Sequence, residues 1–185
     1  DPAHTFLLSI GRMVPWKGFD VLVWVMKTLP DRVHLALLGE GPEEPRLRDL
    51  VANLGLGERV HFVGRVPQDR VGIFLRASDL FVLFTGYEGM SHVLLEALSA
   101  GCAVVTTSAG GNSELIHDGE NGQLVRYGDE ALLSSTLRRL VEHPEERALL
   151  SSRAPRLPEE YTWPRLMRDT LELLSRLARK PGRGH

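Results

Sequence analysis

Short apolar runs that stop at a glycine, alternating with longer segments of helical period, constrain this chain more than any other feature. Residues 6–10 run into Gly11, 33–38 into Gly39, and 60–63 into Gly64. Further runs at 80–84, 103–107 and 123–126 repeat the theme. Between them, apolar residues recur at helical spacing over 19–29, 43–54, 68–77 and 91–100, with one helical turn at 113–116. After residue 126 the pattern is helical alone, over 129–142, 144–153 and 163–179, with Trp163 anchoring the last helix and a disordered tail at 181–185. Strand–helix alternation with strands this apolar is the pattern of a parallel sheet covered on both faces. Right-handed crossovers make that sheet doubly wound and Rossmann-like, with ligands at the carboxyl ends of the strands. The fold class expected is therefore α/β, with extra carboxyl-terminal helices.

Composition narrows the partners. The chain has 185 residues, enough for one domain that buries roughly 70% of its unfolded surface. A net charge of −2 gives no electrostatic case for nucleic acid, and leaves a membrane only peripheral contact. One cysteine, Cys102, forbids an internal disulfide and fits a reducing compartment; it reads as core. No apolar run approaches the ~20 residues of a membrane span. The first residues, Asp1-Pro2-Ala3, enter a strand without an initiator methionine, as in an excised piece of a longer protein.

The strand-end loops hold the candidate chemistry. Gly11-Arg12-Met13-Val14-Pro15-Trp16-Lys17-Gly18 places two cations on one short loop, and lysine is rare here, with three against nineteen arginines. Arginine can fork onto two phosphate oxygens while lysine acts as a point charge. Taken alone, the two are as readily solvated surface charges. The loop is not a Walker loop, and Gly39-Glu40-Gly41 lacks a third glycine, since residue 44 is glutamate, so the dinucleotide fingerprint fails.

Glu88-Gly89-Met90-Ser91-His92-Val93-Leu94-Leu95-Glu96-Ala97 is the strongest constellation. Ser91 is a natural N-cap, and first-turn amides with the helix dipole make an anion site. Gly89 allows close approach of a ligand. Glu96 lies one turn on, leaning back toward the helix start, where its carboxylate could accept from a ribose diol. A surface glutamate on an amphipathic helix fits the same position. The ring of His92 reads as surface, and Glu114 is open between surface and nucleotide.

Glu88-Gly89, Leu95-Glu96-Ala97 and Ala100-Gly101 together resemble the signature of the group 1 (family 4) retaining glycosyltransferases of GT-B fold. Gly11-Arg12 with Lys17-Gly18, Leu38-Gly39-Glu40-Gly41-Pro42, Val60-His61-Phe62-Val63-Gly64, Ser78-Asp79-Leu80, and Gly110-Gly111 with Glu114-Leu115-Ile116 also match in order, over residues 6 to 175. The resemblance implies that residues 1–180 are the donor-binding half of such an enzyme, with an amino-terminal acceptor domain outside this chain. It gives catalytic roles to Arg12, Lys17 and Glu88. It implies donor contacts from Gly11, Arg12, Lys17, Gly39, Arg65, Val66, Gly89, Met90, Ser91, His92, Val93 and Glu96. Arg12 and Lys17 would take the diphosphate, Glu96 the ribose, Glu88 the sugar, and Gly64-Arg65-Val66 the base. The donor expected is a nucleoside diphosphate sugar, a UDP-sugar ahead of a GDP-sugar, with no metal or other cofactor, in the cytoplasm. Here the family's Gly-Phe-Gly-like stretch reads Gly89-Met90-Ser91, and Trp16 replaces a small or acidic residue. The rival readings are half of a GT-B epimerase and a non-catalytic nucleotide-binding or interaction module. A phosphorylase would need a pyridoxal-binding lysine, and Lys17, Lys27 and Lys180 are badly placed for one.

Overall fold

A computed structural model describes residues 4–154 and 163–178. Its centre is a six-stranded sheet in the order β3-β2-β1-β4-β5-β6. The strands are β1 (Thr5–Ile10), β2 (Val33–Leu38), β3 (Val60–Gly64), β4 (Leu80–Leu83), β5 (Val104–Thr107) and β6 (Gln123–Val125), and every neighbouring pair is parallel. The helices are α1 (Phe19–Met26), α2 (Glu44–Asn53), α3 (Gln68–Ala77), α4 (His92–Ser99), α5 (Asn112–Leu115), α6 (Glu130–Glu142), α7 (Pro144–Arg153) and α8 (Trp163–Ala178).

The apolar strands follow from having two faces to bury. Leu7, Leu80, Val82, Phe84 and Val105 turn to one side, where α1, α2 and α6 bring Leu22, Leu47 and Leu137. Leu8, Phe81, Leu83 and Val104 turn to the other, where α3, α4 and α5 bring Leu75, Leu94 and Leu115. Cys102 is 3% exposed, in the second core, as expected. Chain direction across the sheet reverses between β1 and β4, so the loops leaving these two strands diverge and leave a crevice.

Several expected boundaries move. The first helix, expected to reach residue 29, stops at Met26. Pro30 disfavours helical backbone at residue 29, and the Thr28 hydroxyl donates to the Val25 carbonyl at 2.7 Å, closing a turn instead. Ser91 is the N-cap of α4 by position, but its side chain makes no capping bond. Asp129 does cap α6, accepting from the Leu132 amide at 2.9 Å, so that helix opens at Glu130 and not at residue 129. A single 3-10 turn, Pro15–Lys17, stands where the sequence reads as loop. Residue 179, the tail at 181–185 and the side chain of Trp163 lie outside the described residues.

Candidate functional site

The loops after β1 and β2 are zipped together by their backbones. Gly11 N donates to Leu38 O at 3.0 Å, Met13 N to Glu40 O at 2.9 Å, and Glu43 N to Met13 O at 3.1 Å. Gly39 makes this approach possible: its φ is +123°, and a Cβ there would lie 2.0 Å from the Gly11 carbonyl oxygen. The glycines of Gly39-Glu40-Gly41 thus serve loop-on-loop packing. Beside them opens a cavity of about 620 Å³ lined by Gly11, Arg12, Gly39, Arg65, Val66 and Gln68 among others. Arg12 is exposed and makes no ion pair with the described residues.

The crevice between β1 and β4 is bridged from both sides. The Trp16 carbonyl accepts from Gly86 N at 2.8 Å and from the Thr85 hydroxyl at 3.1 Å, fastening the 3-10 turn to the end of β4. The next residue, Lys17, thereby meets Glu88, and their side chains form an ion pair. Only 14% of the lysine and 16% of the glutamate side chain is exposed. The lysine stem runs past Gly11, at whose position a Cβ would stand 3.8 Å from Lys17 Cδ and Cε. The Glu88 loop is held from the far side: Gly111 N donates to Gly89 O at 3.1 Å, and Gly110, with φ +56°, faces the Glu88 carbonyl so closely that a Cβ would lie 1.7 Å from it.

Helix α4 starts at this point. The amides of Leu94 and Leu95 donate to Ser91 O at 3.1 and 3.2 Å, leaving those of His92 and Val93 without an intrahelical acceptor. The Ser91 hydroxyl is buried and has no hydrogen-bond partner. The side chain of Val93 packs against the second core, which leaves its amide as the group it could offer a ligand. Met90 is 42% exposed, and the His92 ring is exposed as expected. Glu96 is half-buried and accepts a hydrogen bond from Gln68 Nε2. Burial pushes its carboxyl above the usual carboxylate range, while Gln68 and then His92 pull it back. Glu114 is exposed on α5, and Trp16 keeps an exposed side chain while its carbonyl does the positioning.

The structure therefore links most of the expected residues in an arc. Gly11, Arg12, Gly39, Arg65 and Val66 surround the cavity; Gln68 connects it to Glu96; α4 leads to Ser91; and the Lys17–Glu88 pair closes the arc beside Gly11. Gln68 was not among the expected residues, and nothing in its local sequence marks it. The described residues include no group of three or more His, Cys, Asp or Glu side chains placed to hold a metal, and no helix among them is long and apolar enough to cross a membrane.

Comparison with known proteins gives this arc a context. Residues 2–157 match the family described as glycosyl transferases group 1. The chain is 37% identical over 147 residues to the lipopolysaccharide core biosynthesis glycosyltransferase LpsE of Rhizobium meliloti, a match covering 80% of this chain and 42% of that protein. It is 31% identical over 173 residues to a D-inositol 3-phosphate glycosyltransferase of Rhodococcus opacus, covering 88% and 39%. Among solved structures, Alr3699/HepE of Anabaena in complex with UDP-glucose superposes with a TM-score of 0.83 at 26% identity, covering 94% of this chain and 49% of that one. The chain spans less than half the length of these relatives. A parallel sheet with flanking helices that superposes on GT-B glycosyltransferases, and a family match across most of the residues, agree: this chain belongs to the group 1 glycosyl transferases.

Proposed function

We propose that residues 1–180 are the donor half of a retaining glycosyltransferase, and that the arc binds a nucleoside diphosphate sugar, with UDP as the favoured nucleotide. The observation that carries this reading is the Lys17–Glu88 ion pair, formed across the switch point between β1 and β4 a few residues before α4 begins, with the lysine stem beside Gly11 of the Arg12 cavity. The base enters the cavity beside Arg65 and Val66. Glu96 takes the ribose diol. The diphosphate lies between Arg12, Lys17 and the amides of His92 and Val93, and the sugar lies toward Glu88 and the Gly89-Met90-Ser91 loop. Alr3699/HepE solved with UDP and with UDP-glucose supports the choice of nucleotide.

As the sugar–phosphate bond breaks, negative charge grows on the departing diphosphate. Two cations and a helix N-terminus, already in place, stabilise that charge without a protein nucleophile. The same three elements do the work of a metal ion, so binding needs none. The acceptor and the remainder of the catalytic cleft belong to another domain of the same protein, so this chain alone binds the donor and transfers little. The protein works in the cytoplasm, touching a membrane at most peripherally.

Calorimetry of the chain with UDP, GDP, ADP and their sugars tests the reading. Expected are UDP binding unaffected by EDTA, and a loss of tenfold or more in affinity, about 1.4 kcal/mol, in Lys17→Ala and in Glu96→Ala. Binding of no nucleotide would turn the assignment toward an interaction module, and robust sugar transfer by this chain alone would refute the division of labour.

A further inference from the structure

The ion pair at the crevice has a consequence for which ligand the site prefers. Lys17 and Glu88 are each about five-sixths buried and are held from independent directions. The lysine turn hangs on the Trp16 carbonyl, and the glutamate loop rests on Gly110-Gly111. A diphosphate that bound Lys17 would have to displace a carboxylate held this deeply against the ammonium. The carboxylate cannot leave cheaply, because separating a nearly buried pair leaves each charge uncompensated.

On the reading of the arc as a donor site, we infer that Glu88 is a built-in counter-ion of Lys17 that biases the site toward nucleotide sugars and against bare nucleoside diphosphates. When a diphosphate takes Lys17, Glu88 loses its partner. A nucleotide sugar offers a replacement, since its hydroxyls donate to the freed carboxylate. Its terminal phosphate is also esterified and carries one fewer negative charge. A bare nucleoside diphosphate offers no donor and brings its extra charge against Glu88, where like charges close together in a water-poor crevice repel strongly. The ligand favoured is the substrate, and the ligand disfavoured is the product of transfer, so the same carboxylate helps the diphosphate leave.

The test compares wild type and Glu88→Gln, which keeps the shape and removes the charge. Calorimetry with UDP and UDP-glucose reads the ratio of their dissociation constants. We expect Glu88→Gln to bind UDP about tenfold more tightly and UDP-glucose no more tightly, so the preference collapses by tenfold or more. Equal changes for both ligands, or an unchanged ratio, overturn the inference and leave the donor reading standing. Failure of wild type to bind either ligand overturns the donor reading itself. A ligand-free measurement guards against a variant that folds poorly. With three lysines in the chain, the 15N signal of the Lys17 ammonium is readily assigned by Lys17→Arg. In wild type that signal should move when UDP is added and again, differently, with UDP-glucose. A Lys17 signal with the shift and exchange of a free lysine in the empty protein would mean that no pair exists, and the inference falls.

Discussion

Glu96 shows how one side chain ties the site to pH. Its carboxyl is held above the usual range chiefly by burial, and the Gln68 amide and His92 offset part of that cost. The ionised form is the stronger acceptor for the two hydroxyls of a ribose, since protonation turns one carboxyl oxygen into a donor. A raised pKa means that the charge disappears sooner as the solution is acidified. Affinity for UDP-glucose should therefore fall as the solution is acidified, beginning at a higher pH than an ordinary carboxylate would set. UDP-glucose is the right probe because its diphosphate does not titrate there. Gln68→Leu removes a hydrogen bond that favours the ionised form, so its midpoint should move to higher pH. Glu96→Gln should bind more weakly with this acid limb gone. Calorimetry across pH distinguishes these outcomes, and a midpoint that does not move in Gln68→Leu would mean that the amide has no hold on Glu96.

Between elements, the site depends on backbones that touch. Gly110 follows β5, yet it fixes the loop that follows β4, because its φ of +56° and missing side chain let the Glu88 carbonyl come close. Gly110→Ala must displace that carbonyl. We expect a loss of about 1–3 kcal/mol in urea unfolding, the cost of a strained residue, together with weaker UDP-glucose binding. A variant with unchanged stability and affinity would mean that the loop is not held from this side. The sequence made the strands legible because the central ones are apolar on two faces and all end at a glycine, turn or loop; the helices were legible from their period, within a few residues at their ends. The residues of the arc were legible from the ordered motifs. Their support was not. The Trp16 carbonyl is an acceptor that any residue could supply, and the Gln68–Glu96 contact spans 28 positions, which no local spacing reveals. The glycines of Gly39-Glu40-Gly41, which do not complete a dinucleotide fingerprint, also meet the backbones of Gly11 and Met13, a contact that no spacing in the sequence reveals.

At the scale of the molecule, α8 stands apart from everything else. Leu166, Met167, Leu171, Leu173, Leu174 and Leu177 are each 52–58% exposed, and they share one face of the helix. The opposite face carries the i,i+4 pairs Arg165–Asp169 and Arg176–Glu172. Every other α-helix and every strand places at least one buried apolar residue in one of the two cores; the described side chains of α8 contribute to neither. Burial is the main source of stability, at roughly 25 cal/mol for each Å² of apolar surface. A helix whose described side chains all stay exposed adds little to the stability of the sheet, and 16 residues are marginal as a free helix in water. A chain lacking residues 163–185 should therefore keep its urea midpoint within about 0.5 kcal/mol, the size of a neutral surface change. Its slope with denaturant should fall little, and its UDP-glucose affinity should not change. Leu94→Ala in α4, by contrast, should cost about 2–5 kcal/mol. Equilibrium unfolding of the three proteins side by side decides the matter: a shortened chain that loses as much as Leu94→Ala would show that α8 packs on the sheet in solution, and that its apolar face is part of the core.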